Sequence, residues 1–327
     1  MAALRLGTRG SQLALIQANI VAALLRAREH VSCDIVVIKT SGDRLADAPL
    51  TQIGGKRVFV KEIEDALLNG DVDLAVHSSK DMPTVLPDGL FLAAALPRED
   101  ARDAIVLPAE GPAPSLVEAS IESLVRHLGE VPRIGTSSVR RTAQLLRVLP
   151  RARFSAIRGN LDTRLRKLDT GDFDAVVLAA AGLRRLGHES RISVALPPNV
   201  CIPAPGQGII AVETRSDNVQ VRTMVERLND RAAAAALTAE RMVVRHLGGG
   251  CQMPIGAYAV VSNNQLSLAT IVVSTDGERV VRAEGTGSIA DAEVIGSRTA
   301  IRLLAQGAAE ILAEGESTRA AVEGLQP

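Results

Sequence analysis

Aromatic side chains are nearly absent from this chain of 327 residues: it has no Trp, one Tyr (Tyr258) and four Phe. Stacking platforms for single-stranded nucleic acid need several exposed rings, so no nucleic-acid partner is expected. Cysteine is scarce too. Cys33, Cys201 and Cys251 are too few and too scattered for a disulfide framework, which fits a reducing compartment. Metal-ligand spacing is missing around them and the five histidines are dispersed, so no metal site is expected. An excess of one charge is also lacking. The 37 basic residues balance 37 acidic ones, and no global field points to nucleic acid or a membrane surface. There is no apolar run of the ~20 residues that spans a bilayer, and "MAALRLGTRGSQLA" has no apolar signal core. A soluble, cytoplasmic protein without a membrane partner is expected.

Aliphatic residues are plentiful. Hydrophobic residues make up 46% of the chain, enough for large cores, and the length suits two or three domains of roughly 100–200 residues each. Two phrases recur in the same order. "RLGTRGS" (5–11) is echoed by "RIGTSS" (133–138), each reading as a short strand, a Gly-Thr turn and a Ser placed to cap a helix. "GDVDLAVHS" (70–78) is echoed by "GDFDAVVLA" (171–179), each following an amphipathic helix and leading into an apolar strand. The repeated order indicates two duplicated α/β units, each expected to be a parallel sheet with crossover helices.

The stretch 107–119, with three prolines, reads as a surface loop between the units. From about residue 230 the pattern changes. Alternating strands with Asn263-Asn264 and Asp276-Gly277 at the turns, then one long helix from Ala290 to Glu314, predict a small α+β domain. Cys251 lies on the loop that enters its sheet, behind three glycines and ahead of Pro254. A packed core cysteine needs no such mobile setting; an accessible or modified thiol does.

Ligands of open α/β sheets bind beyond the carboxyl ends of the strands, where both Gly-Thr turns fall. Each turn offers amide N–H groups at a helix N-terminus, a natural anion site. Arg9 sits at the first turn and Arg140 and Arg141 at the second. The segment 133–166 holds nine arginines, no lysine and one acid, Asp162. Guanidinium forks suit carboxylates and phosphates. Arg158 and Arg164 flank a further Gly-Asn turn, while Arg147, Arg151 and Arg153 read as an ordinary solvated face. In "HSSKDMPT" (77–84), Lys80 and Asp81 stand at the end of the strand "VDLAV". A carboxylate there could stabilise a cation or orient an N–H donor; a plain surface pair is the other reading. His77 could serve as a base or simply bond locally. A multiply anionic ligand with a cationic centre accounts for both features.

"LGTRGSQLALIQA", "GGKRVFVKEIEDALL", "AVHSSKDMPT", "RIGTSSVRRTAQL", "RGNLDTRLRKL", "AAAGLRRLG", "PAPGQGIIAVETR" and "GGGCQMPIGAYA", in this order, resemble the signatures of the porphobilinogen deaminase (hydroxymethylbilane synthase) family across nearly the whole chain. The resemblance implies a transferase that joins four porphobilinogen molecules head to tail, with loss of ammonia, to give the linear tetrapyrrole hydroxymethylbilane. It implies a dipyrromethane cofactor held through a thioether to Cys251. It implies two α/β domains like type II periplasmic binding proteins with a cleft between them, plus a small C-terminal α+β domain. The expected boundaries are 1–103 with 203–228, then 104–202, then 229–327, in a monomer.

By motif match the catalytic residue is Asp81, stabilising the cationic azafulvene that forms when ammonia leaves. Carboxylates of cofactor and substrate would be bound by Arg9, Ser11, Lys80, Thr136, Ser138, Arg140, Arg141, Arg158, Arg164 and Arg185. Gln17 and Ser78 would line the cleft, and Phe59 would pack over pyrrole rings. Two other readings remain: a two-lobed organic-anion-binding protein without catalysis, and a transferase whose cysteine turns over in each cycle. Cys33 and Cys201 are expected to be packing residues.

Overall fold

The computed structural model describes residues 3–44, 59–110, 121–248 and 253–323. In chain order the first lobe supplies β1 (Leu4–Thr8), α1 (Gln12–Glu29), β2 (Cys33–Val37), α2 (Ser41–Arg44), α3 (Lys61–Leu68), β3 (Leu74–Ser78) and β4 (Leu90–Ala95). The second supplies β5 (Asp103–Val106), α4 (Ile121–Leu128), β6 (Arg133–Gly135), α5 (Val139–Leu145), β7 (Arg153–Ser155), α6 (Leu161–Asp169), β8 (Ala175–Ala179), α7 (Ala180–Arg185) and β9 (Val194–Ala195). β10 (Ile210–Arg215) and α8 (Val219–Glu226) return to the first lobe. Then come α9 (Arg231–His246), β11 (Ile255–Ser262), β12 (Gln265–Val273), β13 (Val280–Ser288), α10 (Ala292–Ala305) and α11 (Ala308–Glu323).

The two large sheets have the same plan. Their orders are β2-β1-β3-β10-β4 and β7-β6-β8-β5-β9. In each, the first three strands are parallel and the fourth runs antiparallel to both its neighbours. The expectation of purely parallel sheets is therefore corrected. β5 and β10 are the crossover strands, each crossing from one lobe to fill the fourth place in the other. Apolar periodicity marks such a strand but not its direction.

The duplicated phrases meet in space. The Asp73 carboxylate accepts from the Arg5 amide at 2.8 Å and from its Nη2 at 2.8 Å, while the Asp73 amide donates to the Arg5 carbonyl at 2.8 Å. Asp174 repeats this on Arg133 at 2.7, 2.7 and 2.8 Å. In each lobe the clamp ties the first strand of the motif to the third, leaving the opposite, carboxyl ends open to a ligand.

Each large sheet is covered on both faces, as alternation along a central strand requires. Ile105 and Val177 face α4 and α5 with Leu124 and Leu145, while Ala104, Val106 and Val176 face α6 and α7 with Leu165, Leu168 and Leu183. In the first lobe Leu6, Val76 and Val212 pack under α1 and α8, and Ala75 packs under α3.

The third sheet, β11-β12-β13, is antiparallel and packs on α9, α10 and α11. Asn263 and Asn264 both take positive φ, 51° and 59°, in the two-residue turn that joins Ser262 to Gln265. The Asp276-Gly277 turn is longer, running from Val273 to Val280. The single C-terminal helix expected from the sequence is two helices: Gly307, at φ 93°, breaks it between α10 and α11.

Candidate active site

The carboxyl ends of β1, β3, β6, β7 and β8 carry the residues singled out from the sequence. At the first turn, Ser11 caps α1 by accepting from the Ala14 amide at 3.3 Å, and the Arg9 guanidinium lies 4.3 Å from the centre of the Phe59 ring. Gln17, buried on α1, and Ser78, at the end of β3, hydrogen-bond at 2.9 Å. In the second lobe, Ser138 caps α5 and its amide donates to Thr136 Oγ1 at 3.3 Å. Asn160 caps α6. Across the cleft, a side chain at Gly182 on α7 would reach Leu13 of α1 at 3.8 Å, so the two lobes approach closely there.

Lys80 and Asp81 lie on a short 3-10 turn, Ser79–Asp81, directly after β3. Burial pulls the Lys80 ammonium down to about 8; Asp81 and Asp103 oppose the shift, and Arg141 and Arg140 add to it. Arg164 behaves alike. Burial and then the Arg141 charge lower it to about 10, against the pull of Asp81. Lys80 and Arg164 thus share the same two charged neighbours, Asp81 and Arg141. Arg164 has no carboxylate ion pair among the described residues; its Nε donates to the Gly159 carbonyl at 2.9 Å. Arg185, also lowered by burial, donates to the Gly208 carbonyl at 2.7 Å. Arg158 is half-buried in the β7–α6 loop.

Arg140 and Arg141 differ from the other arginines. They are 5% and 6% exposed and both bind Asp103. Arg140 Nη1 donates to Asp103 Oδ2 at 2.7 Å and to the Ile202 carbonyl at 2.7 Å. Arg141 reaches Oδ1 through Nε at 2.9 Å and Nη2 at 2.7 Å, and the Val177 carbonyl at 2.8 Å. Burial alone would raise the Asp103 carboxyl, but the two guanidinium charges hold it far below the usual carboxylate range. Arg140 in this arrangement is a buried structural cation. Arg141 still sends its field into the cleft.

His77 is buried, with Nε2 3.2 Å from Glu213 Oε2 but without hydrogen-bond geometry between them. Arg151 pairs with Glu130 on the surface and Arg153 is exposed, as expected of a solvated face. Arg147 instead donates to the Gly277 carbonyl at 3.2 Å, where the β12–β13 turn docks on α5. Cys201 is buried beside Asp103, its thiol pushed up to about 12 by burial and then by that carboxylate. Cys33 is half-buried and pushed up to about 11, chiefly by burial. Cys251 lies outside the described residues, as do 111–119 of the proline-rich stretch and residues 54–58 before Phe59.

Sequence reasoning passed over three residues. Asp103 opens β5, and Gln207 is buried between two glycines. Glu240, on α9, is fully buried and accepts from Arg98 Nη1 at 2.5 Å, the Gly206 amide at 2.6 Å and the Ala259 amide at 2.7 Å. The available signals were an acid at the head of an apolar run for Asp103 and an acid on the apolar face of a helix for Glu240.

A family model for the porphobilinogen deaminase dipyrromethane cofactor-binding domain matches residues 4–223, and one for the C-terminal domain of that enzyme matches 234–305. The chain is 46% identical over 312 residues to the porphobilinogen deaminase of Geotalea daltonii, covering 95% of this chain and 94% of the relative. It is 43% identical to that of Moorella thermoacetica, covering 99% and 100%. Among solved structures, a Bordetella pertussis BvgS periplasmic VFT2 domain overlaps 69% of this chain and 86% of its own, at 17% identity and a TM-score of 0.40.

Proposed function

The chain belongs to the porphobilinogen deaminase family, and from that membership we propose how its own side chains carry the reaction. The family's activity is the stepwise condensation of four porphobilinogen molecules to hydroxymethylbilane with release of ammonia, in tetrapyrrole biosynthesis. Catalysis therefore takes the place of the alternative of an anion receptor that does no chemistry.

One observation carries the residue assignment: Lys80 and Arg164, at the strand ends of opposite lobes, both feel the charges of Asp81 and Arg141, and the basicity of each is depressed there, chiefly by burial. Such a cluster is relieved by a ligand that brings several carboxylates. A dipyrromethane, bearing acetate and propionate groups, fits that demand. When bound, it supplies the pyrrole carbon to which each new substrate is joined.

In this reading Lys80 and Arg164 bind carboxylates, together with Arg9, Ser11, Thr136, Ser138, Arg158 and Arg185. Arg141 contributes mainly its field, since its donors are engaged by Asp103 and Val177. Arg140 holds the cluster together from beneath. Phe59 offers a ring face at the mouth, beside Arg9. Asp81 accepts from pyrrole N–H groups and stabilises the positive charge that develops as ammonia departs. It stands in a partly buried site where its charge is little screened. Gln17 and Ser78 brace the strand end that carries it.

Cys251 is the anchor of the cofactor in this proposal. The chain is read as a monomer of three domains, 1–103 with 203–228, 104–202 and 229–327. A cytoplasmic setting is supported by Cys33 and Cys201, which are free thiols. Intact-mass measurement tests the anchor. The expected result is an adduct of dipyrromethane mass on wild type and none on Cys251→Ser. An active purified chain with unmodified mass would overturn it.

A further inference from the structure

Gln207 lies in a turn pressed against the Ser79–Asp81 turn. Gly206 and Gly208, on either side of it, have φ of 73° and 88°. A Cβ at Gly206 would stand 2.6 Å from Ser79 Oγ, and one at Gly208 would stand 2.4 Å from the Glu99 carbonyl oxygen. The Ser79 amide donates to the Ile209 carbonyl at 3.0 Å, so the two turns are joined through the backbone as well. Positive φ and these close approaches make both places glycine positions and fix the backbone that carries Gln207.

The Gln207 carboxamide is 1% exposed, and each of its groups has a partner. Nε2 donates to the Ala101 carbonyl at 2.7 Å and to Asp103 Oδ1 at 2.9 Å. Both partners are pure acceptors, because the Asp103 carboxyl is held ionised by Arg140 and Arg141. The amide therefore cannot flip without setting its oxygen against two other oxygens. Its oxygen is left to face Lys80, whose Nζ donates to Oε1 at 3.4 Å. Its backbone carbonyl accepts from Arg98 Nε at 2.8 Å. One buried residue thus touches the reaction turn, the two buried arginines through Asp103, and the third domain through Arg98 and Glu240.

We propose that Gln207 is a positioning residue for the reaction: its carboxamide, locked by Asp103 and Ala101, fixes the Lys80 ammonium at the foot of the cleft, where a substrate carboxylate binds. This rests on the reading of Lys80 as a carboxylate binder given above. The charged groups acting on the ammonium are Asp81 on its own turn, Asp103 on β5, and Arg140 and Arg141 on α5.

The test uses holoenzyme and two readouts. The first is KM and kcat for porphobilinogen. The second is the titration of Lys80 Nζ in 15N-lysine-labelled protein, assigned by the loss of its signal in Lys80→Met; the chain has only five lysines. Gln207→Met fills the same volume without the acceptor. It is expected to raise KM about tenfold with kcat little changed, and to move the Lys80 midpoint down by about one pH unit. In a Lys80→Met background, Gln207→Met should add no further rise in KM. Should the methionine variant fail to fold, Gln207→Asn, one methylene too short for Lys80, carries the same test. An unchanged Lys80 midpoint, or a KM effect that persists undiminished without Lys80, overturns the positioning role. If instead the Lys80 midpoint moves but Lys80→Met keeps a wild-type KM, positioning stands and the carboxylate-binding role of Lys80 fails.

Discussion

Arg98→Met should loosen the seam between the third domain and the two lobes at a large cost in stability. Arg98 lies on the crossover between β4 and β5, and Glu240 on α9 is fully buried. The wild-type carboxylate accepts the guanidinium fork at 2.5 and 3.2 Å and two backbone amides, from Gly206 and Ala259. Arg98 also stacks 4.9 Å from the Tyr258 ring centre. Removing the arginine keeps the two amide bonds but leaves an ionised carboxylate without its counter-charge. Breaking a buried pair from one side in this way costs about 3–5 kcal/mol, against about 0–1 kcal/mol for an exposed pair. Stacking on Tyr258 is lost as well, and Gln207 loses the donor to its carbonyl. Guanidinium unfolding followed by circular dichroism would read the loss as an earlier midpoint. Amide exchange in β11 would locate it, since the Ala259 amide is held by Glu240. Arg98→Lys, which keeps the charge but not the fork, should fall between wild type and Arg98→Met. A loss below about 1 kcal/mol for Arg98→Met, with unchanged exchange at Ala259, would refute the reasoning, because it would place the pair with ordinary surface contacts.

Asp81→Ala should retain the fold and lower kcat by about 10²–10³-fold or more, with Asp81→Glu keeping a small remainder; near-wild-type turnover in the alanine variant would remove Asp81 from the mechanism. Lys80 holds fewer protons folded than unfolded between about 8 and its ordinary 10.5, so its contribution makes stability rise with pH across that window. That rise should appear in Cys251→Ser, shrink in holoenzyme where carboxylates restore the ammonium, and vanish in Lys80→Met; identical pH profiles of unfolding for all three would contradict it. With their thiols pushed up to about 11 and about 12, Cys33 and Cys201 should react slowly with Ellman's reagent at pH 8, and Cys201 only on unfolding. Rapid native labelling of Cys201 would contradict its burial.

Local features were the most legible in the sequence. Ser11 and Ser138 announced helix starts, and Asn263-Asn264 announced a tight hairpin, because capping and positive φ depend on near neighbours. The echoed phrases were also legible, and the matched clamps of Arg5 on Asp73 and Arg133 on Asp174 supply their physical meaning. The antiparallel direction of β5 and β10 was not, because a short apolar strand reads the same in either direction. Neither was the division among the arginines. Nothing local to Arg140 and Arg141 reveals that Asp103, more than thirty residues earlier, engages both. The helix expected across Gly307 failed for a different reason. A lone glycine in a helical pattern is tolerable on propensity alone, and only the packing of α11 against the third sheet settles the break.

The exchanged strands also set an order of completion during synthesis. The second sheet needs residues 103 to 195, all contiguous, and can close as soon as they have left the ribosome. The first sheet begins earlier but keeps a gap between β3 and β4 until residue 215 emerges, since β10 pairs with both. The lobe that starts first is therefore finished second. Throughout that interval β3, bearing the turn with Asp81, presents an open edge that any passing strand could occupy. A truncation ending shortly before Ile210 should hold a protected second sheet beside a nascent first one that is prone to wrong partners.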